Sequence, residues 1–270
     1  PNQIDLDGLA VDEATDPGKR VQKSSAFGYP QLVLGMIAIF VYVGVEVSTI
    51  SNMPAYLELP VSEGGLGIET SLIAPFVSLY WASLMIGRWA GAAGAFDVAK
   101  RTKWMLTILL PYLAFGVFLA VNAFANHEIS HFFMYGFVIV LMIAATFASR
   151  GNPARMLLYF AICGIAALVI GMLTTGMTSV VAFISVGLFC STMWPCIFTL
   201  AITGLGRNTN QGSSLLIMMI MGGGIVSWLQ GVIADMHGIH YSFVVGVLCF
   251  AYLAFYAIAA KRALQKQGID

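Results

Sequence analysis

Charge is what this sequence has least of. Of its 270 residues, 13 are Lys or Arg and 13 are Asp or Glu, 10% in all, where soluble domains carry about 25%. With 59% hydrophobic residues beside it, that scarcity excludes an ordinary water-soluble domain and specifies an integral membrane protein. The net charge of zero names no partner by itself, and no nucleic acid is expected. Cysteine is equally sparse. Cys163, Cys190, Cys196 and Cys249 all fall inside apolar runs, with neither metal-ligand spacing nor a disulfide framework, so they read as small packing residues. No metal and no cofactor is expected.

Polar stretches are few as well. Residues 1–25 are polar and mixed in charge, and read as a cytoplasmic linker from a longer protein. The transmembrane domain is expected over 26–264. Within it, eight apolar segments span about 31–57, 70–95, 104–124, 132–149, 155–175, 178–204, 213–235 and 240–261, each long enough to cross a bilayer as a helix. Eight crossings put every Lys and Arg on one side. Lys19, Arg20 and Lys23 precede segment one, and Lys100, Arg101 and Lys103 follow segment two. Arg150, Arg155, Arg207, Lys261, Arg262 and Lys266 fall in the later loops of that side, and Arg88 lies near its end of segment two. The opposite loops hold Glu58, Glu63, Glu69, Glu128, Asp235 and all four histidines. The positive-inside rule then makes both termini cytoplasmic, and the expected location is a bacterial inner membrane. Seven or nine crossings would destroy the segregation.

The chain is organised around 31–57. Glu46 sits near the middle of that segment, and Tyr42, Glu46, Thr49 and Met53 share one helical face with Ser48 and Asn52 alongside. A carboxylate at that depth costs several kcal/mol unless it faces a cavity or a partner. A polar stripe followed by Pro54 points to a solute pathway; the plainer alternative is a Glu satisfied by a neighbouring helix. Arg88, two turns from the end of segment two, suits anchoring by snorkelling or by pairing with Asp97.

Two other stretches carry chemistry. His127, Glu128 and His131 spell HExxH, in which two His one turn apart hold zinc and the Glu acts as general base. A membrane-embedded zinc metalloprotease is therefore the alternative function. Against it, the match sits in a short turn rather than on a continuous helix, and His237, His240 and Asp235 are far away in sequence. Residues 187–235 contain an interruption expected at Trp194-Pro195, then Gly222, Gly223 and Gly224 in a row, and Gln230 in an apolar setting. The glycines suit close packing or a rocking contact. Gln230 needs a partner, and Trp194 fits either a core or a platform for a sugar ring.

Here the residues carry a resemblance. The runs GLFCSTMWPCIFTLAITGLG and GSSLLIMMIMGGGIVSWLQGVIAD resemble the last helices of the fucose–galactose–glucose:proton symporter family of the major facilitator superfamily. YVGVEVSTISNMPAYL, which contains Glu46, is similar to the first helix of that family's second half, and MIGRWAG to its second. The resemblance implies an all-α polytopic bundle, the C-terminal half of a sugar transporter. Its partners would be a monosaccharide or similar polar solute, a coupling proton, the N-terminal half and the bilayer. The family's half has six helices and this chain has eight, so 104–149 is expected to be an inserted hairpin. Expected substrate groups are Glu46, Tyr42, Thr49, Asn52, Trp194 and Gln230. Arg88, Pro195, Gly222, Gly223 and Gly224 are expected to have structural or gating roles. Because the family's proton-linked carboxylates lie in the first half, the resemblance favours substrate binding or helix positioning over proton carriage for Glu46.

The charge segregation generates a test. In a variant lacking the four native cysteines, single cysteines at positions 63 and 128 should react with an impermeant thiol reagent from outside. Cysteines at 103, 155 and 207 should be protected. Outside labelling at 155 or 207 would rule out eight crossings with cytoplasmic termini.

Overall fold

The computed structural model describes residues 25–92 and 99–269; the expected linker, apart from Ser25, and Asp97 lie outside them. The described residues contain eight helical spans long and apolar enough to cross a membrane, at the eight positions expected from hydropathy. The first is a single helix, α1 (Pro30–Glu58), entered through a proline at its first turn and continuing past Pro54. A proline is harmless at the first helical position, where the missing N–H has no partner anyway. α2 (Ala74–Ala92) returns. α3 (Lys100–Phe124) and α4 (Tyr135–Ser149) form the hairpin, and α5 (Pro153–Leu173) follows, capped by the Asn152 side chain.

The last three spans are interrupted. The sixth consists of α6 (Gly176–Cys190) and α7 (Met193–Ile202). Its break falls at Ser191 and Thr192, one turn before the Trp194-Pro195 step where it was expected. The reason is the reach of the proline ring, which clashes with the carbonyl four residues back rather than with its own turn. For Pro195 that carbonyl belongs to Ser191. The seventh span contains α8 (Thr209–Met218), a 3-10 turn at Met219–Met221, and α9 (Gly222–His237). The eighth is a short α10 (Ile239–Ser242) leading into α11 (Val244–Lys266).

α1 lies at the centre, packed against α7, α9 and α11, while α5 bridges α6 and α11 and α2 lies between α3 and α6. The α1–α9 contact is made by backbone. A side chain on Gly222 would run into the Phe40 carbonyl oxygen, and one on Gly44 would lie 2.6 Å from Val226. A similar approach joins α2 to the break in the sixth span, where a side chain on Gly87 would collide with Ser191. Without a hydrophobic drive between helices in lipid, such approach supplies the packing that holds spans together.

Hydrogen bonds tie both ends of the bundle. At one end Gln31 donates to the Thr203 carbonyl at 3.2 Å and Gln267 donates to Gln31 Oε1 at 2.9 Å. The Tyr256 hydroxyl donates to the Gln31 carbonyl at 3.1 Å. At the other, Tyr56 donates to Ser179 Oγ at 2.8 Å and stacks on His240, with ring centroids 5.3 Å apart. Ser179 Oγ and His240 Nε2 both donate to the Gly171 carbonyl.

The hairpin is peripheral. Its two spans are 22% and 28% buried, against 83% for the sixth. Trp104, Leu109, Phe124 and Phe137 face outward, as lipid-facing apolar residues do. It is nevertheless fastened: Tyr135 and Ser83 share a 2.7 Å hydrogen bond between α4 and α2, and Phe132 packs against Phe76 and Phe118.

The three glycines of α9 now separate. Gly222 meets backbone, Gly223 meets Val43 and Val47 at 3.2 Å, and Gly224 has nothing within 4 Å. Gly222→Ala should lose about 1–3 kcal/mol of stability through overpacking and lower the unfolding temperature of the purified protein. Gly224→Ala should stay within about 0.5 kcal/mol of the parent. Equal losses at both positions would refute the α1–α9 contact.

Candidate functional site

The site is built on α1, α2 and α7. Tyr42 and Glu46 are one turn apart on α1; Tyr42 is buried and Glu46 half-buried. Helical spacing places their side chains on one face of α1. On α7 the Trp194 ring packs on Tyr42 with centroids 6.2 Å apart, and Phe198 stacks on Trp194 at 6.3 Å. Pro195 and Thr199, beside them, are exposed. The break before α7 frees Trp194 from a continuous helical register and turns it toward α1.

α2 completes the wall. The Tyr80 hydroxyl donates to the Glu46 backbone carbonyl at 2.7 Å, fixing α1 against α2 at the depth of the carboxylate. Arg88 is exposed and acts electrostatically on Glu46, although the two are not in ion-pair contact. Trp81, half exposed, lies seven residues before Arg88 on the same face of α2. Together Glu46 and Trp194 present a half-buried carboxylate and indole beside the buried Tyr42, with the guanidinium of Arg88 exposed on α2. Those groups can accept and donate hydrogen bonds to a polyhydroxylated solute and offer apolar faces to its ring.

Three further expected groups make hydrogen bonds within or between helices. Thr49 is buried, and its hydroxyl donates back to the Val45 carbonyl at 2.7 Å. Asn52 is half-buried and donates to the Ser48 carbonyl at 2.9 Å. Gln230 is fully buried behind α1 and reaches Ser242 Oγ at 3.4 Å. Among the described residues, Ser48 Oγ, Thr192 Oγ1 and Gln230 Oε1 are buried without a hydrogen-bond partner. The Phe40–Gly222 and Gly44–Val226 contacts put Ser48 level with Gln230 one turn further along.

Tyr80 and Trp81 were missed from sequence. Their signal was faint, since a Tyr-Trp pair in an apolar helix reads as packing until the helix's rotation is known. Arg88, expected in a structural or gating role, is exposed on α2. The HEISH turn does not form a ligand pair. His127 lies in the loop, bonded to Asn122 Oδ1 at 3.1 Å, and His131 lies in a separate 3-10 turn, 3.8 Å from Glu128. Among the described residues no group of three His, Cys, Asp or Glu is placed to hold a metal.

The fold resembles one half of a solved major facilitator superfamily transporter. It superposes on an outward-facing crystal structure of the transporter FucP with a TM-score of 0.61 at 21% identity, covering 96% of this chain and 47% of that one. In sequence, the chain resembles the C-terminal half of curated sugar transporters. It is 34% identical over 242 residues to a glucose/galactose transporter of Brucella abortus, covering 90% of this chain and 45% of the relative. It is also 34% identical over 110 residues to the L-fucose-proton symporter of Escherichia coli, covering 40% of this chain and 25% of the relative. The chain thus spans about half the length, or less, of the curated relatives it matches. No protein-family model matches it.

Proposed function

We propose that the chain forms the C-terminal half of a secondary active transporter that carries a monosaccharide or similar polar solute with a proton by alternating access. Both termini would lie on the cytoplasmic side of a bacterial inner membrane. The observation that carries this reading is the grouping of half-buried Glu46 and Trp194 around Tyr42 near the middle of their spans, in a half-bundle that resembles the major-facilitator fold. Carriers of this kind bind solute near the midplane between repeats, and a one-walled site is what a single half presents. The sugar specificity is supported by the names of the relatives that match most of this chain. In this reading Glu46 accepts solute hydroxyls, Trp194 supplies an apolar face, and Arg88 balances the carboxylate. Thr49, Asn52 and Gln230 hold the helices in place behind them. The 104–149 hairpin is an insertion at the edge of the half.

The chain by itself, reconstituted in liposomes, should show no saturable sugar uptake, and co-expression with the preceding half should restore it. Saturable uptake by this chain alone would replace the two-half arrangement with a self-sufficient carrier.

Glu46→Gln in the full-length protein tests the role of the carboxylate. It keeps the shape and one acceptor but removes the charge and the ability to titrate. Losing a charge-assisted hydrogen bond costs about 1.5–3 kcal/mol, so sugar affinity should fall about 10- to 100-fold. Proton-driven uptake and sugar–sugar exchange should fall together, because both need a filled site. Intact exchange with lost accumulation would make Glu46 the proton carrier instead.

A further inference from the structure

Away from the solute wall, the beginning of α1 and the end of α11 enclose a furrow of about 650 Å³. Its lower part is apolar: Leu34 on one side, Phe255 and Ile258 on the other, with the small side chains of Ala259 and Ala263 forming the trough. Phe255 and Ile258 are exposed, so the trough opens sideways, where lipid lies, and not toward the solute wall. Its upper rim carries Arg262 and Lys266, one turn apart, both exposed and neither in an ion pair among the described residues. The Gln31–Gln267 amide pair closes the end of the furrow.

The rim and trough differ in chemistry over a short distance. Seven residues of helix separate Arg262 from Phe255, about 10 Å along the axis, so the cations stand at headgroup depth while the trough runs into the acyl region. Arginine takes a phosphate through paired N–H donors, and a lysine one turn further on supplies a second positive charge. Basic pockets between spans on one side of a membrane suit anionic headgroups. Completing the negative end of the helix dipole explains cations at this terminus, but it does not explain a furrow beneath them.

We propose that this furrow is a binding site for one anionic phospholipid, its phosphate held by Arg262 and Lys266 and an acyl chain lying over Ala259 and Ala263. The lipid would bridge the first and last spans from outside. The proposal does not depend on which solute is carried.

The test uses native mass spectrometry of the delipidated full-length protein titrated with phosphatidylglycerol, and with phosphatidylethanolamine in parallel. Phosphatidylglycerol should bind with a saturable first site that phosphatidylethanolamine fills at least tenfold more weakly. Arg262→Gln with Lys266→Gln should weaken that site at least tenfold. Ala259→Leu with Ala263→Leu, which keeps both charges and fills the trough, should do the same. Thermal unfolding of each variant identifies any loss caused by misfolding, and lipid titration of the variant that remains folded then decides. Equal binding of the two lipids overturns the proposal. So does phosphatidylglycerol binding that survives filling of the trough, which would reduce the effect to surface attraction. A third overturning result is a site that becomes available only when Asp5, Asp7, Asp12, Glu13 and Asp16 are all neutralised to amides. In that case the chain's own acidic stretch is the occupant.

Discussion

The backbone contact between α1 and α9 is the constraint on which the other placements depend. Gly222 lets α9 approach the Phe40 carbonyl, and Gly44 accommodates Val226 one turn further on. In lipid, where burying an apolar side chain against another gains little over burying it against an acyl chain, such approach is a main source of helix association. It also fixes rotation. With the glycine side of α1 committed to α9, Gln230 is forced inward and the Tyr42–Glu46 edge is left to meet α7. A 3-10 turn separates α8 from α9 just before Gly222, as short tight turns at helix ends often do.

The polar groups follow from that rotation. A carboxylate deep in a bundle needs compensation, and Glu46 lies half-buried, with Tyr42 one turn back on the same face and no ion-pair partner among the described residues. Tyr80 bonds the backbone carbonyl of Glu46 and leaves the side chain available. A purely structural acid would be expected to have its oxygens enclosed. Here the Glu46 side chain is half-buried while its backbone is held in position by Tyr80.

Much of this was legible in the sequence, and the limits have physical causes. The eight spans follow from hydropathy and charge because each is a local property of about twenty residues. The Tyr42–Glu46 face was legible because helical spacing alone decides it. What could not be read were quantities that depend on pairs of helices. Gln230 and Thr49 are polar residues on plausible faces, yet both are buried, because the α1–α9 register decides which faces close. Which side chains of α2 are exposed, Trp81 and Arg88 among them, depends on the rotation of that helix. The break in the sixth span was displaced by one turn because a proline disturbs the carbonyl behind it, which a motif centred on the proline does not reveal.

The ties at the two ends of the bundle have a mechanical meaning. Gln31, Thr203 and Gln267 lock one end across three segments, and Tyr56, Ser179, Gly171 and His240 lock the other. A bundle pinned at both ends cannot splay at one without breaking these hydrogen bonds. Its softest degree of freedom is therefore displacement as a unit. The first, fifth, sixth and eighth spans, which the ties join, then act as one lever and not as a hinge.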